Sequence, residues 1–413
     1  MIRFENRKMI VYIASMLLIS RIFIYLTGYI GNNLFSDYTA PPEFEKAAQS
    51  GWESTSLKLP EMLRETRLIS LDDMVKFDSF YYLDIVENGY NKFKIDEPHD
   101  PANWVFYPLY PILIYSFAKA LSLDSKVVSI ALSNFFLLFG LIFVYLICCK
   151  RGIEENNIKK VLFFILIFPA SLYYSVPYTE SLFLLLSSAT IFFTLKKDYK
   201  VSLILAGLSM VARAPGFINL FYVVLSIIID KKFRGIIRDP KLVLSMVVSV
   251  IPICLYFLYM KTLTGDFLAP IHEQAINWAR SLTLPFSNIL YYFINPYFIS
   301  FGGWDNGLIS FIISISVFVI YFGYFIKNRR GILKEKDELL FFLYGLLILI
   351  ISFSSSCWLI STIRYTMLCI PFYIYLADFA SKNELINNFY LLLFMTMNVI
   401  ITTAFFNNYF FAV

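Results

Sequence analysis

A carboxylate on the aromatic face of a helix, a PYTES turn and three arginines at the ends or loops of apolar runs are the residues here that could do acid, base or phosphate chemistry. The carboxylate is Asp78, in FDSFYYLDIVENGY at 77–90. SLDD at 70–73 has the form of a capping box, with Ser70 as N-cap and Asp73 at N3, and Gly89 is a natural stop, so a helix is predicted over 71–88. At about 100° per residue Asp78 shares an arc with Phe77, Tyr81, Tyr82, Ile85 and Val86, while Asp72, Asp73, Asp84 and Glu87 face the other way. A carboxylate so placed is either hydrogen-bonded at a membrane-surface helix or a general base in a partly dry pocket.

The arginines are Arg213, Arg280 and Arg364. Singly, each is explained as a complement to a helix C-terminus or as a side chain snorkelling to the surface. Together they are also what a phosphate site needs, because guanidinium grips phosphate oxygens as a bidentate fork. In PYTES, 177–181, Thr179 or Ser181 can cap a helix and Glu180 suits its N-terminus. The loop 263–286 adds His272, Glu273, Gln274 and Trp278, and Tyr365 follows Arg364. His99 and His272 have no ligand spacing and favour a metal only weakly. The five cysteines, Cys148, Cys149, Cys254, Cys357 and Cys369, lie in or beside apolar runs without a CxxC, which suggests neither disulfides nor zinc.

The elements that must position these residues are membrane helices. The chain is 58% hydrophobic and 16% charged, with mean hydropathy +0.66, values of an all-α polytopic membrane protein. The runs are too long for barrel strands. Met9 to Ile30 follows Arg3, Arg7 and Lys8 and has no small-residue cleavage site, as in an uncleaved signal anchor. Six short basic clusters, around Arg3–Lys8, 150–160, 196–200, 231–241, 327–336 and Lys382, should share the cytoplasmic side.

That requirement settles two segments. VFYPLYPILIYSFAKALS at 105–122 must lie on the outer surface rather than cross, and the run 200–229, broken by RAPG at 213–216, must make two short crossings. Eleven spans result: 9–30, 127–149, 160–176, 178–195, 200–213, 216–229, 241–262, 308–327, 339–356, 364–380 and 386–411. The chain is thus expected as one membrane domain over 1–413: a first helix, a loop at 31–126 with the candidate base and surface helices, a central module at 127–262, a loop at 263–307 and C-terminal helices at 308–413. All the candidate residues fall on the non-cytoplasmic face.

From about residue 71 the chain resembles the PIG-V family, the GPI mannosyltransferase 2 enzymes and their prokaryotic relatives, within the polytopic GT-C glycosyltransferases. The resemblance runs in order through KFDSFYYLDIVENGY, VFYPLYPIL, FPASLYYSVPYTESLF, AGLSMVARAPGF, TGDFLAPIHEQAINWAR and STIRYTMLCIPFYIYLAD. Phe77 stands where the family usually has tryptophan, and residues 31–70 match nothing in it. The resemblance implies inverting transfer of mannose from a polyprenyl-phosphate carrier to an acceptor hydroxyl outside the cytoplasm, with Asp78, which aligns with the acid of the family motif, as the base. Arg213 and Arg364, then Arg280, would take the donor phosphate. Tyr81, Tyr178, Glu180, Gln274, Trp278 and Tyr365 would position donor or acceptor. No cofactor is expected and metal independence is the default, since a lipid monophosphate carries less charge than a nucleotide diphosphate. A divalent metal stays open.

The richness in Ile, Lys, Asn and Phe leans towards a prokaryote, hence a cell membrane rather than an ER membrane, and a glycan, glycolipid or glycoprotein acceptor in the envelope; no nucleic-acid partner is implied. Acceptor, linkage and oligomeric state are not legible. Two other readings compete. A GT-C enzyme using a different polyprenyl-phosphate sugar would carry the same phosphate and base residues. A lipid-linked glycan flippase would instead line a mid-membrane path with charges and carry an inverted repeat, whereas only Arg21 lies clearly within a span.

Overall fold

The computed structural model describes residues 4–34, 66–278, 280–294, 307–354, 359 and 361–409. The described residues form helices: α1 (Phe4–Leu34), α2 (Leu71–Met74), α3 (Asp78–Asn88), α4 (Leu109–Leu121), α5 (Ser125–Lys150), α6 (Glu155–Ile167), α7 (Glu180–Leu195), α8 (Tyr199–Met210), α9 (Gly216–Ile237), α10 (Pro240–Thr264), α11 (Ala269–Ile276), α12 (Ser287–Ile294), α13 (Leu308–Lys334), α14 (Lys336–Ser352), α15 (Thr362–Thr366), α16 (Ile370–Lys382) and α17 (Glu384–Phe406). Two 3-10 turns lie at Asn103–Val105 and Ser171–Tyr174. Among the described residues α1, α5, α10, α13 and α17 are long and apolar enough to cross a membrane. Every predicted span overlaps a helix; residues 355–356 and 410–411 of two of them, and Cys357, lie outside the described residues.

Several bounds differ for identifiable reasons. The 160–176 span ends as an α-helix at Ile167, because Pro169 forces Phe168 into extended backbone (ψ 141°), and the chain continues as the Ser171–Tyr174 turn. The 364–380 span divides into the five-residue α15 and then α16, which has Pro371 in its first turn. The 216–229 span runs on to Ile237, with a break at Lys232 (φ 54°). RAPG separates α8 from α9 as expected, and Gly216 is required there: a Cβ would come within 2.1 Å of the Ser209 carbonyl oxygen.

The 71–88 helix is two helices. Ser70 caps α2 with Asp73 in a full capping box, and Gly89 (φ 79°) ends α3, but the chain leaves the helix at Val75–Phe77. Asp73, placed by helical phase on the solvent side, is instead buried in that box against Arg67. Burial would raise its carboxyl, yet the Ser70 backbone N–H and hydroxyl, with Arg67 and Lys76 nearby, hold it below the usual carboxylate range.

The surface-helix expectation for 105–122 corresponds to α4. It has 13 residues, about the length of α6, α8 and α16. It buries Tyr110, Pro111 and Ile114 and leaves Ile112 and Tyr115 exposed.

The helices pack as one bundle: α5 on α7; α8 on α7, α9 and α10; α1 on α17; and α16 on α6, α13 and α17. Gly207 lets α8 approach the α10 backbone, since a Cβ would meet the Ser249 carbonyl oxygen at 2.2 Å. A second apolar cluster joins α3, residues 90–114, the start of α5 and Tyr256 and Met260 of α10. The candidate site lies where this cluster meets the bundle.

Candidate active site

Asp78 is the first residue of α3 and Glu180 the first of α7, so each carboxylate stands at a helix N-terminus, where partial positive charge favours it. The approach to Asp78 is strained. Phe77 has φ 55° and ψ −121°, the first central position of a type II′ turn closed by Ser79 N–H donating to the Lys76 carbonyl at 3.1 Å. Glycine is usual there, and a phenylalanine costs about 1–3 kcal/mol.

Turns distant in sequence bring the other charges to this point. Arg364 Nη1 donates to Asp78 Oδ2 at 2.8 Å, and Arg364 Nε is 3.6 Å from Glu180 Oε1. Arg213 Nη1 is 2.5 Å from the same Glu180 oxygen, an ion pair without hydrogen-bond alignment. The side chain of Asp78 is 17% exposed, whereas those of Arg364 and Glu180 are only 4% and 1% exposed. The row is therefore open at Asp78 and closed behind it.

Aromatic rings frame the row. Arg364 lies over Tyr173 and Tyr178 at 5.3 and 5.2 Å, and Arg213 over Tyr365 at 4.8 Å. The Tyr365 hydroxyl accepts from Arg280 Nη1 at 3.3 Å, and Arg280 Nη2 donates to Ser361 Oγ at 2.6 Å. Tyr178 accepts from the Asp78 N–H at 3.2 Å and donates to the Lys76 carbonyl at 3.3 Å. Tyr81, one turn beyond Asp78, stacks on Phe106 at 4.8 Å and meets the edge of Trp278 at 5.2 Å.

The structure thus gathers Asp78, Tyr81, Tyr178, Glu180, Arg213, Trp278, Arg280, Arg364 and Tyr365. Gln274 reaches the group through its backbone, where its carbonyl accepts from the Arg280 N–H at 2.8 Å. The expected cap of α7 is not made: Thr179 is the N-cap residue, but its hydroxyl meets Tyr82 (3.2 Å) and Arg213 (3.5 Å) instead. The histidines go separate ways, His272 to Asp266 at 2.5 Å and His99 to Glu273 at 3.7 Å. Among the described residues no three His, Cys, Asp or Glu side chains gather as a metal would need. Arg21 hydrogen-bonds the Ser171 carbonyl and Ser175 Oγ, bracing the turn that leads to Tyr178.

The sequence assigned no role to Lys76, Tyr173 or Glu273, although Glu273 stood among the polar residues of the 263–286 loop. Lys76 is buried beside Asp78. Tyr173 lies under Arg364. Glu273, fully buried, accepts from the Ala102 N–H at 2.8 Å and so ties α11 to the loop before Trp104. A lysine amid charged and aromatic neighbours, or a glutamate in a polar helix, looks ordinary until the chain is folded.

Several buried polar atoms around the row make no hydrogen bond among the described residues: both Glu180 carboxylate oxygens, Arg364 Nε, Ser79 Oγ and Trp278 Nε1. Polar groups so enclosed suit a polar ligand. With two carboxylates, three guanidiniums and indole and phenol edges around it, the arrangement can accept a proton at Asp78 and hold an anion nearby.

Among solved structures, the chain is similar to the archaeal oligosaccharyltransferase AglB from Archaeoglobus fulgidus, in complex with an inhibitory peptide and a dolichol-phosphate: 12% identity, TM-score 0.46, covering 96% of this chain and 55% of that one. It is also similar to ArnT from Cupriavidus metallidurans bound to undecaprenyl phosphate: 10% identity, TM-score 0.49, covering 97% of this chain and 76% of that one. The chain therefore spans about half the length of the oligosaccharyltransferase. No curated protein matches it. The family described as Mannosyltransferase (PIG-V) matches residues 10–312, more than half of the chain. The chain belongs to that family.

Proposed function

We propose that the protein transfers mannose from polyprenyl-phosphate mannose to a hydroxyl of an envelope glycan, glycolipid or glycoprotein, outside the cytoplasm and with inversion at the anomeric carbon. The observation that carries this reading is the Asp78–Arg364 pair at 2.8 Å, at the exposed end of a buried row of charges. Asp78 takes the proton of the acceptor hydroxyl as its oxygen attacks C1. The C1–oxygen bond to the lipid phosphate breaks, and arginines balance the charge arriving on the leaving group.

The arginines divide this work unequally. Arg364 and Arg213 already face Asp78 and Glu180, whereas Arg280 is bound to two hydroxyls. Three guanidiniums against two carboxylates leave one positive charge, so Arg280 is the first partner for a lipid phosphate, ahead of the order that the sequence suggested. A phosphate that then draws Arg364 away from Asp78 frees the carboxylate to accept its proton, coupling donor arrival to base function. Tyr81, Tyr178, Trp278 and Tyr365 orient the sugars.

A donor screen with purified protein tests the chemistry. Labelled polyprenyl-phosphate mannose should be turned over and the glucose, galactose and arabinose analogues should not; a different preferred sugar transfers the reading to that sugar, and no turnover of any donor rejects it. Sidedness is tested by cysteine labelling on a cysteine-free background. The exposed positions Glu97 and Lys232 lie in the 91–101 loop and in the break of α9. Glu97→Cys should react with an impermeant maleimide applied outside and Lys232→Cys only after permeabilisation, while the reverse pattern would invert the topology.

A further inference from the structure

We propose that Lys76 is a positioning residue for Asp78: its ammonium, bound to the last carbonyl of α17, holds the strained 76–79 turn in the form that presents Asp78 to Arg364. Lys76 is buried and its Nζ donates to the Phe406 carbonyl at 2.6 Å. Phe406 ends α17, so this oxygen is one of the carbonyls a helix leaves unpaired, at the end where its dipole is negative. A buried ammonium and a helix C-terminus satisfy each other. The contact joins residues 330 positions apart.

A second contact acts on the next residue. The Phe77 ring meets Phe405 edge-on at 5.6 Å, which fixes an aromatic side chain at a backbone conformation that otherwise favours glycine. Tyr178 closes the turn from a third side through the Lys76 carbonyl and the Asp78 N–H. The turn is therefore held by α17, by the α7 approach and by its own hydrogen bond from Ser79. Released, it has no reason to keep φ 55° at Phe77, and Asp78 would lose its line to the substrate. The family match stops at residue 312, so this assigns a site-building role to a helix beyond it.

The proposal rests on Asp78 being the base, and the test separates the two. Full-length Lys76→Met, which keeps the aliphatic stem and removes the donor, is compared with Lys76→Arg, which restores one, and with Asp78→Asn. Lys76→Met should lower kcat about a hundredfold, leave KM for the lipid donor within about threefold, and speed exchange of the 78–80 amides about tenfold. Lys76→Arg should recover most of both changes. Phe405→Leu, which leaves the lysine contact intact, should move kcat and the same amides in the same direction by a smaller factor and serves if Lys76→Met does not fold. Unchanged exchange, or faster exchange with kcat per folded molecule within about threefold of the parent, overturns the proposal. If Asp78→Asn keeps its activity, the base assignment falls by itself, and the turn is then judged on exchange alone.

Discussion

Asp78→Asn is expected to give a folded, membrane-inserted protein that binds lipid-linked mannose and transfers it about 100- to 10,000-fold more slowly, the range that loss of a positioned general base produces. Asparagine keeps the shape and can still accept from Arg364 through its amide oxygen, so the loss falls on proton acceptance. The mutant also frees Arg364 from a counter-charge, which should leave donor affinity equal or tighter. Turnover of labelled donor and a binding isotherm on the same preparation check both parts. Turnover within about tenfold of wild type would sink the base assignment.

The second large effect is on stability. Glu180 is fully buried between two guanidiniums, 2.5 Å from Arg213 and 3.6 Å from Arg364. Glu180→Gln removes the shared counter-charge and leaves two buried cations facing each other. Breaking one partner out of such a pair costs about 3–5 kcal/mol, so a marked fall in the thermal midpoint in detergent is expected. The same substitution raises the local positive charge, so added polyprenyl phosphate should recover more stability in Glu180→Gln than in wild type. A midpoint unchanged from wild type would mean that Glu180 is not the shared counter-charge of the two arginines.

The sequence made much of this legible, for physical reasons. Hydropathy and basic loops marked the long apolar helices, though not α11 and α12 within 263–307, and RAPG showed where α8 must stop, because chain breakers act locally. Helical phase singled out Asp78, and charge topology put it on one face with Arg213, Arg280 and Arg364, which the structure indeed gathers. What stayed hidden depends on tertiary contacts. The break before Asp78 exists because Lys76 and Phe77 are held by α17, about 330 residues away. No window around residue 77 contains that information. Likewise Glu180 looked like a helix-start residue, and it is one. Its role as a bridge between two arginines required the chain to return at 213 and 364.

The short α8 has a consequence for where the chemistry lies in the bilayer. Its 12 residues rise about 18 Å, against roughly 30 Å of hydrocarbon. Under the proposed orientation, a crossing that starts from the basic residues at 196–200 reaches the RAPG turn about 12 Å short of the far surface. Arg213 and its neighbours then sit below the headgroups, in a dent of the membrane. A donor anchored by a long prenyl tail meets them at its natural depth, without lifting its phosphate into water. The acceptor is the partner that must dip, which favours an acceptor tethered to a lipid or carried on a slender chain over the rigid face of a folded protein.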